Sequence, residues 1–545
     1  CSQTLRPGRH GHHRQWITFS ETNFLDGTSM ADDISPLHVA VTKDPAIMTP
    51  GGSLSTFGTG QWWYFTGTPG NAGNGGPAFD LQADMIRYPQ GGPHASFPSI
   101  PSQGSSLVDF PIIAIDEQAL YVSAYGSKGS IGGFFSTILI IPLEFEEGGV
   151  TKSMLDGHKP PDDLITILRP EDLPEHNPLD PVPEHEPDEH IQQYPVQEPF
   201  PDQQADNTQL FLSVAENGTL DSFRMAGLWF DEDALPEPRW RYTQRILNDA
   251  AEDFPLDDLE VPTGFEFVAS STDNVTTPDP DFDPGPQRAY FVSAVLAENG
   301  DGDLRVFAAH HVAPVGATDT LAVQWYVIDP DLDSGNFHVV QDPPVWNPTI
   351  EVTGRITTNA VSAGDVGECF HPVIGVTRDG TAYIEYTYSN GVDAWPQVRR
   401  VQLSSDYTTP LTNTLAQPGP ANRSYEDDVT VPPGDRNDRW ADYNDMQADP
   451  FACTLWSVHT LVRDPGGSVP GTIVNEDDRD IWLLNLAYNC FTPDLNSNMQ
   501  VDPGDAVLFN DYYANEDPRA DADADGDVTA IDAAIFLDAY AAGTP

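Results

Sequence analysis

The chain has 545 residues, with 84 acidic side chains against 25 basic ones and a formal net charge of −59. A field this negative repels nucleic acid and anionic membrane surfaces, so neither is a partner, and it attracts cations. No apolar run reaches the roughly eighteen residues that a membrane-spanning helix needs, and a chain this long holds either several average domains or one large repetitive one.

Residues 1–15 read as an N-terminal tail, the His cluster HGHHR (10–14) included. The chain begins at Cys1 without a methionine, as a processed mature protein does. Its cysteines and acidity point to a secreted protein in an oxidising setting, extracellular or at a cell surface.

From residue 16 to 490 the sequence reads as strands almost throughout. Apolar and β-branched runs occupy 111–125, 134–145, 210–230, 289–312, 321–329, 372–391 and 480–488. Hairpin chemistry sits between them at Asn217-Gly218, Asn299-Gly300, Asp379-Gly380 and Asn390-Gly391. Three segments share one plan: DFPIIAIDEQALYVSAY, CFHPVIGVTRDGTAYIEYTYS and WADYNDMQADPFACTLWSVHTL. Each has an aromatic, a short apolar stretch, an Asp-containing turn, then a longer strand. Radially repeated four-stranded units predict an all-β propeller of six or seven blades, because a plain sandwich cannot use so many evenly spaced strands in one domain.

Residues 153–208 interrupt the pattern with Pro, Asp, Glu and His, and read as an extended acidic insertion. Its His176, His185 and His190 read as exposed residues rather than metal ligands. Two acidic runs, Asp279/Asp281/Asp283 before Gly285 and Asp329/Asp331/Asp333 before Gly335, lack a twelfth-position acid and read as ordinary turns. The segment DRWADYND supplies Asp438, Arg439, Asp442, Tyr443 and Asp445. Those residue types suit a tyrosine nucleophile assisted by a carboxylate, but the segment reads better as the start of a blade, with Trp440 and Tyr443 in the inter-blade core.

The C-terminal module, residues 491–545, carries the sharpest spacing. A twelve-residue calcium loop needs oxygen ligands at positions 1, 3, 5, 7 and 12 with glycine at 6. Asp521, Asp523, Asp525, the Asp527 carbonyl and Asp532 meet that pattern around Gly526. The same register occurs 27 residues earlier as Asp494, Asn496, Asn498, the Gln500 carbonyl and Asp505, with Met499 in place of the glycine. Each loop precedes a helical pattern, with Phe509 and Tyr513 on the inner face of the first, and Ile535, Phe536 and Tyr540 on that of the second. Two bound Ca2+ ions are the expected cofactors.

The strands TLWSVHTLV and DIWLLNLAY form one hairpin in this reading, which places Cys453 opposite Cys490 within disulfide reach. By exclusion Cys1 pairs with Cys369; the rival is a lipid-modified Cys1.

The paired C-terminal loops resemble the dockerin module of secreted bacterial proteins. That resemblance implies a docking element held by a cohesin-like or other protein partner, or by copies of the same chain. The motifs VDFPIIAIDEQALYVSAY, FFSTILIIPLE and DRWADYNDMQADPFACTLWSVHTLV with DIWLLNL resemble the propellers of secreted sialidase-like proteins. Intact Asp-boxes and the Phe/Tyr-Arg-Ile-Pro element of true sialidases are missing from the sequence. The reading is therefore a non-catalytic, calcium-binding extracellular protein of binding or assembly, with a glycan as a candidate ligand. The alternatives are a sialidase-like glycoside hydrolase tethered by the same module and a self-assembling structural subunit.

Overall fold

The computed structural model describes residues 2–8, 12–20, 36–42, 62–67, 76–77, 79–80, 106–116, 118–128, 133–161, 164–168, 193–200, 208–214, 223–231, 239–247, 293–312, 321–332, 346–357, 367–390, 396–417, 444–449, 454–462, 479–487, 495, 503–515, 520 and 528–542. They are overwhelmingly β-strand. Among the described residues, six sheets of three or more strands succeed one another along the chain, with a separate two-stranded ribbon beside the second.

The first sheet contains β1 (Ser2–Gly8), β2 (His12–Ser20), β3 (Pro36–Thr42) and β4 (Trp62–Gly67), with the short β5 (Gly76–Pro77) and β6 (Phe79–Asp80) at its margins. In the second, β7 (Ser106–Ile115), β8 (Ala119–Lys128) and β9 (Gly133–Pro142) are followed by a small hairpin, β10 (Glu144–Glu147) and β11 (Val150–Ser153). Then β12 (Thr166–Leu168) completes the sheet against β9.

The third sheet runs β13 (Tyr194–Pro195), β14 (Thr208–Val214), β15 (Phe223–Asp231), β16 (Arg239–Ile246). The fourth runs β17 (Ser293–Glu298), β18 (Leu304–Val312), β19 (Ala322–Asp329), β20 (Thr349–Ile356). The fifth runs β21 (Glu368–Val376), β22 (Ala382–Ser389), β23 (Gln397–Leu403), β24 (Pro410–Gln417). The sixth has three strands, β25 (Asp445–Asp449), β26 (Thr454–Val462) and β27 (Arg479–Ala487).

The opening strand of each sheet lies against the opening strand of the next: β1 on β7, β7 on β13, β13 on β17, β17 on β21 and β21 on β25. The sixth returns to the first, because β25 also lies against β1. The three repeated segments of the sequence fall on the first two strands of the second, fifth and sixth sheets.

Burial explains why these strands read as continuous apolar runs rather than as alternation. Successive side chains point to opposite faces, and here both faces are covered by neighbouring sheets. On β8, Leu120, Val122 and Ala124 pack with Val39, Val41 and Phe65 of the first sheet, while Ala119 and Tyr121 pack with Phe211 and Leu228 of the third. On β19, Tyr326 and Ile328 face the third sheet, and Val323, Trp325 and Val327 face the fifth. Trp325 fits only because its strand partner is Gly354, where a Cβ would collide with the indole ring.

Two expectations are corrected. The supposed tail at 1–15 contains β1, paired with β2 from Ser2↔Thr18 to Gly8↔His12, and part of the His cluster lies on β2. The supposed insertion at 153–208 is in part built into the sheets. Residues 153–161 and 164–168 pack onto the second sheet through Met154, Ile165 and Ile167. Residues 193–200 are all buried, because Gln197 ties β7 to β17: its Nε2 donates to the Ile113 carbonyl (2.8 Å) and its backbone pairs with Ala294 and Leu296.

The only α-helices among the described residues are α1 (Pro503–Ala514) and α2 (Ala530–Ala542), which begin 27 residues apart like the two predicted loops. Phe509 and Phe536 stack across their contact at 4.1 Å between centroids and 9° between planes. Tyr513 lies on the first ring and Tyr540 on the second.

Candidate functional site

Three polar features, one half-buried and two buried, stand at the sheet ends and between sheets. Asp445 heads β25, the opening strand of the sixth sheet. Part of the residue surface is open, but its carboxyl is desolvated, and that burial pushes its pKa up to about 7. Hydrogen bonds accepted from the Met446 N–H (2.8 Å) and from Gln447 Nε2 (3.3 Å) pull the other way and do not win. The result is a carboxyl that carries a proton near neutrality, which is what general acid chemistry requires.

Next to it, Asn444 Nδ2 donates to the His371 carbonyl at 3.3 Å. His371 occupies a bulge in β21, between Phe370 and Val373, with a left-handed φ of 47°. The following Pro372 has no N–H to give to the ladder, so a bulge is where the strand tolerates it. The same device recurs in β7 between Asp109 and Ile112, around Pro111. The His371 ring meets the His311 ring, near the end of β18, at 5.4 Å and 72°. His311 is buried with neither ring nitrogen hydrogen-bonded among the described residues, and burial lowers its pKa to about 4.

Glu385 on β22 is the third feature, and it spans two sheets. Its Oε1 accepts from Arg400 Nε at 2.5 Å, and its Oε2 accepts from Ser457 Oγ and meets His459 Nε2 at 2.8 Å, both on β26. Burial alone would raise its pKa, but His459, Arg400 and Ser457 together hold it below the ordinary carboxylate range. Ser457 and His459 bond the same oxygen, Oε2, so this is a charge staple rather than a nucleophile–base relay.

Of the predicted calcium ligands, Asp505 and Asp532 are described. Both are fully buried, each third in its helix, and the Thr529 N–H donates to Asp532 Oδ2 at 2.5 Å. That bond is half of a capping box. Asp494, Asn496, Asn498, Gln500, Asp521, Asp523, Asp525 and Asp527 lie outside the described residues, as do Asp438, Arg439, Asp442, Tyr443, Cys1, Cys453 and Cys490. The predicted β26–β27 hairpin forms, with Thr454 opposite Ala487, and Cys369 is buried in β21.

Of the two acidic runs, Asp329 and Asp331 are described, while Asp279, Asp281, Asp283 and Asp333 lie outside the described residues. Asp329 accepts from the Asp331 N–H (2.9 Å) and lies 3.8 Å from Arg305, while Asp331 accepts from the Asn347 N–H. No helix among the described residues is long and apolar enough to cross a membrane.

No protein-family model matches the chain, and no curated protein sequence matches it. Among solved structures it is similar to a thermostable family-43 glycoside hydrolase at 10% identity and TM-score 0.30, over 71% of this chain and 92% of that one. It is similar to an endo-arabinase from Bacteroides thetaiotaomicron at 10% identity and TM-score 0.26, over 75% and 93%. It is also similar to an intramolecular trans-sialidase from Ruminococcus gnavus at 11% identity and TM-score 0.22, over 90% and 85%.

Proposed function

We propose that the six sheets close into a six-bladed propeller and that the chain is a glycoside hydrolase with Asp445 as its general acid. Closure is supported by the cyclic contact of the six opening strands, which ends with β25 on β1. The activity reading rests on Asp445 itself, a half-buried carboxyl at the head of an opening strand whose pKa burial raises to about 7. Glycoside hydrolysis takes a protonated carboxylic acid to the leaving oxygen and a second carboxylate to the sugar or to water.

Sialosides and arabino- and xylo-oligosaccharides are the test panel. Release is expected, with kcat reduced about 100-fold or more in Asp445→Asn, the usual scale for losing acid catalysis. No release from any substrate would return the chain to the non-catalytic binding reading. Release lost in Tyr443→Phe but kept in Asp445→Asn would move the chemistry to a sialidase-type tyrosine.

The C-terminal pair is proposed to hold two Ca2+ ions and to dock the secreted protein onto a cohesin-like partner or a second copy. Support comes from Asp505 and Asp532, buried at equivalent places in two helices whose aromatic faces mirror each other. They stand at the twelfth position of the two predicted loops, where a carboxylate closes the site. Chelation is expected to unfold α1 and α2 and leave the sheets intact, since such modules couple metal binding to folding. Helical circular dichroism and proteolysis near residue 517 measure it; a chelated protein with an unchanged helical signal defeats the proposal.

A further inference from the structure

We propose that His311 and His371 are two ligands of a borderline transition-metal site, for Zn2+ in the first instance, set between the fourth and fifth sheets and separate from the C-terminal calcium loops. His311 is 2% exposed, and neither of its nitrogens finds a hydrogen bond among the described residues. Leaving a buried polar group in that condition costs about 1–3 kcal/mol, and a metal removes the cost at one nitrogen.

The spacing fits. A Zn–N bond of about 2.0–2.1 Å puts the metal roughly 3.2 Å from each ring centroid, so near-tetrahedral coordination separates the centroids by about 5.2 Å. The two rings stand 5.4 Å apart. Their planes cross at 72°, so neither ring is stacked flat over the other.

His371 reaches this position only through a left-handed φ of 47° in a strand bulge. A non-glycine residue held in that region stores strain of about 1–3 kcal/mol, which persists where a site requires it. A neutral imidazole is the ligating form. Nitrogen donors select Zn2+ and its neighbours over Ca2+, which takes oxygen. No third His, Cys, Asp or Glu joins the pair among the described residues, so water or a ligand oxygen would complete the coordination.

The inference does not depend on Asp445, and its test reads metal rather than turnover. The full chain, stripped with chelator and returned to excess Ca2+, is titrated with Zn2+. The N-terminal cluster is removed as a rival by substituting His10, His12 and His13. One tightly held Zn2+ per chain is expected. Affinity is expected to fall about 100-fold or more in His311→Phe and in His371→Phe, since losing even an outer-shell partner costs about 10–100-fold. His459→Phe, at the Glu385 staple, leaves it unchanged.

Because a buried substitution can unfold the chain, the wild type is also loaded with Cu2+, and its electron paramagnetic resonance is expected to show two coupled imidazole nitrogens. No stoichiometric Zn2+, undiminished binding in His311→Phe, or a Cu2+ spectrum without two nitrogens each overturns the proposal.

Discussion

Glu385→Ala is expected to lower the unfolding free energy by about 3–5 kcal/mol, the scale for breaking a buried ion pair from one side. The substitution leaves Arg400, whose side chain is only 17% exposed, and the fully buried Ser457 and His459 without their shared acceptor. Its effect is felt at a junction, because Glu385 and Arg400 belong to the fifth sheet and Ser457 and His459 to the sixth. Replacing Glu385, Arg400 and His459 at once, by Glu385→Leu with Arg400→Met and His459→Phe, is expected to cost far less, since packed apolar groups substitute well for a buried ion pair. Urea unfolding of the two variants checks the pair of expectations. Equal losses would mean that packing volume rather than an orphaned charge sets the cost.

Much of the β architecture is legible in the sequence, and the reason is physical. Strands with both faces covered cannot alternate, so AVQWYVID and STILIIP announce themselves as apolar runs. What escapes is held by backbone rather than by hydrophobic pattern. β1, SQTLRPG, has one large apolar residue and a proline, yet its register against β2 is continuous. Residues 193–200 are punctuated by prolines, and their burial follows from the bonds of Gln197 to two other sheets. The site is less legible still. Asp445 lies in a segment whose residue types suggest chemistry, but only three-dimensional burial raises its pKa. His311 and His371 are 60 residues apart with no motif spacing. Their one sequence signal is a His-Pro step where the parallel repeat has Phe-Pro.

Asp445→Asn is expected to change how stability depends on pH, and in a direction opposite to most carboxylate substitutions. An unfolded aspartate titrates near about 3.9, whereas Asp445 in the folded chain titrates at about 7. Between those values the folded state holds a proton that the unfolded state has lost. Unfolding free energy therefore falls as pH rises, by at most about 1.4 kcal/mol per pH unit for one group. The stability contributed by the protonated carboxyl is full below about pH 3.9 and is lost as pH climbs through about 7. Asparagine keeps the shape and carries no charge at either end, so the variant escapes that loss. Stability of Asp445→Asn minus that of the wild type should rise across this window, by up to about 4 kcal/mol, and level off above about pH 8. Taking the difference matters in a chain of net charge −59, where general repulsion also grows with pH but is common to both proteins. Denaturant unfolding at half-unit intervals from pH 4 to 9 provides the curve. A flat difference would place the Asp445 carboxylate in contact with water, and with it would go the general acid.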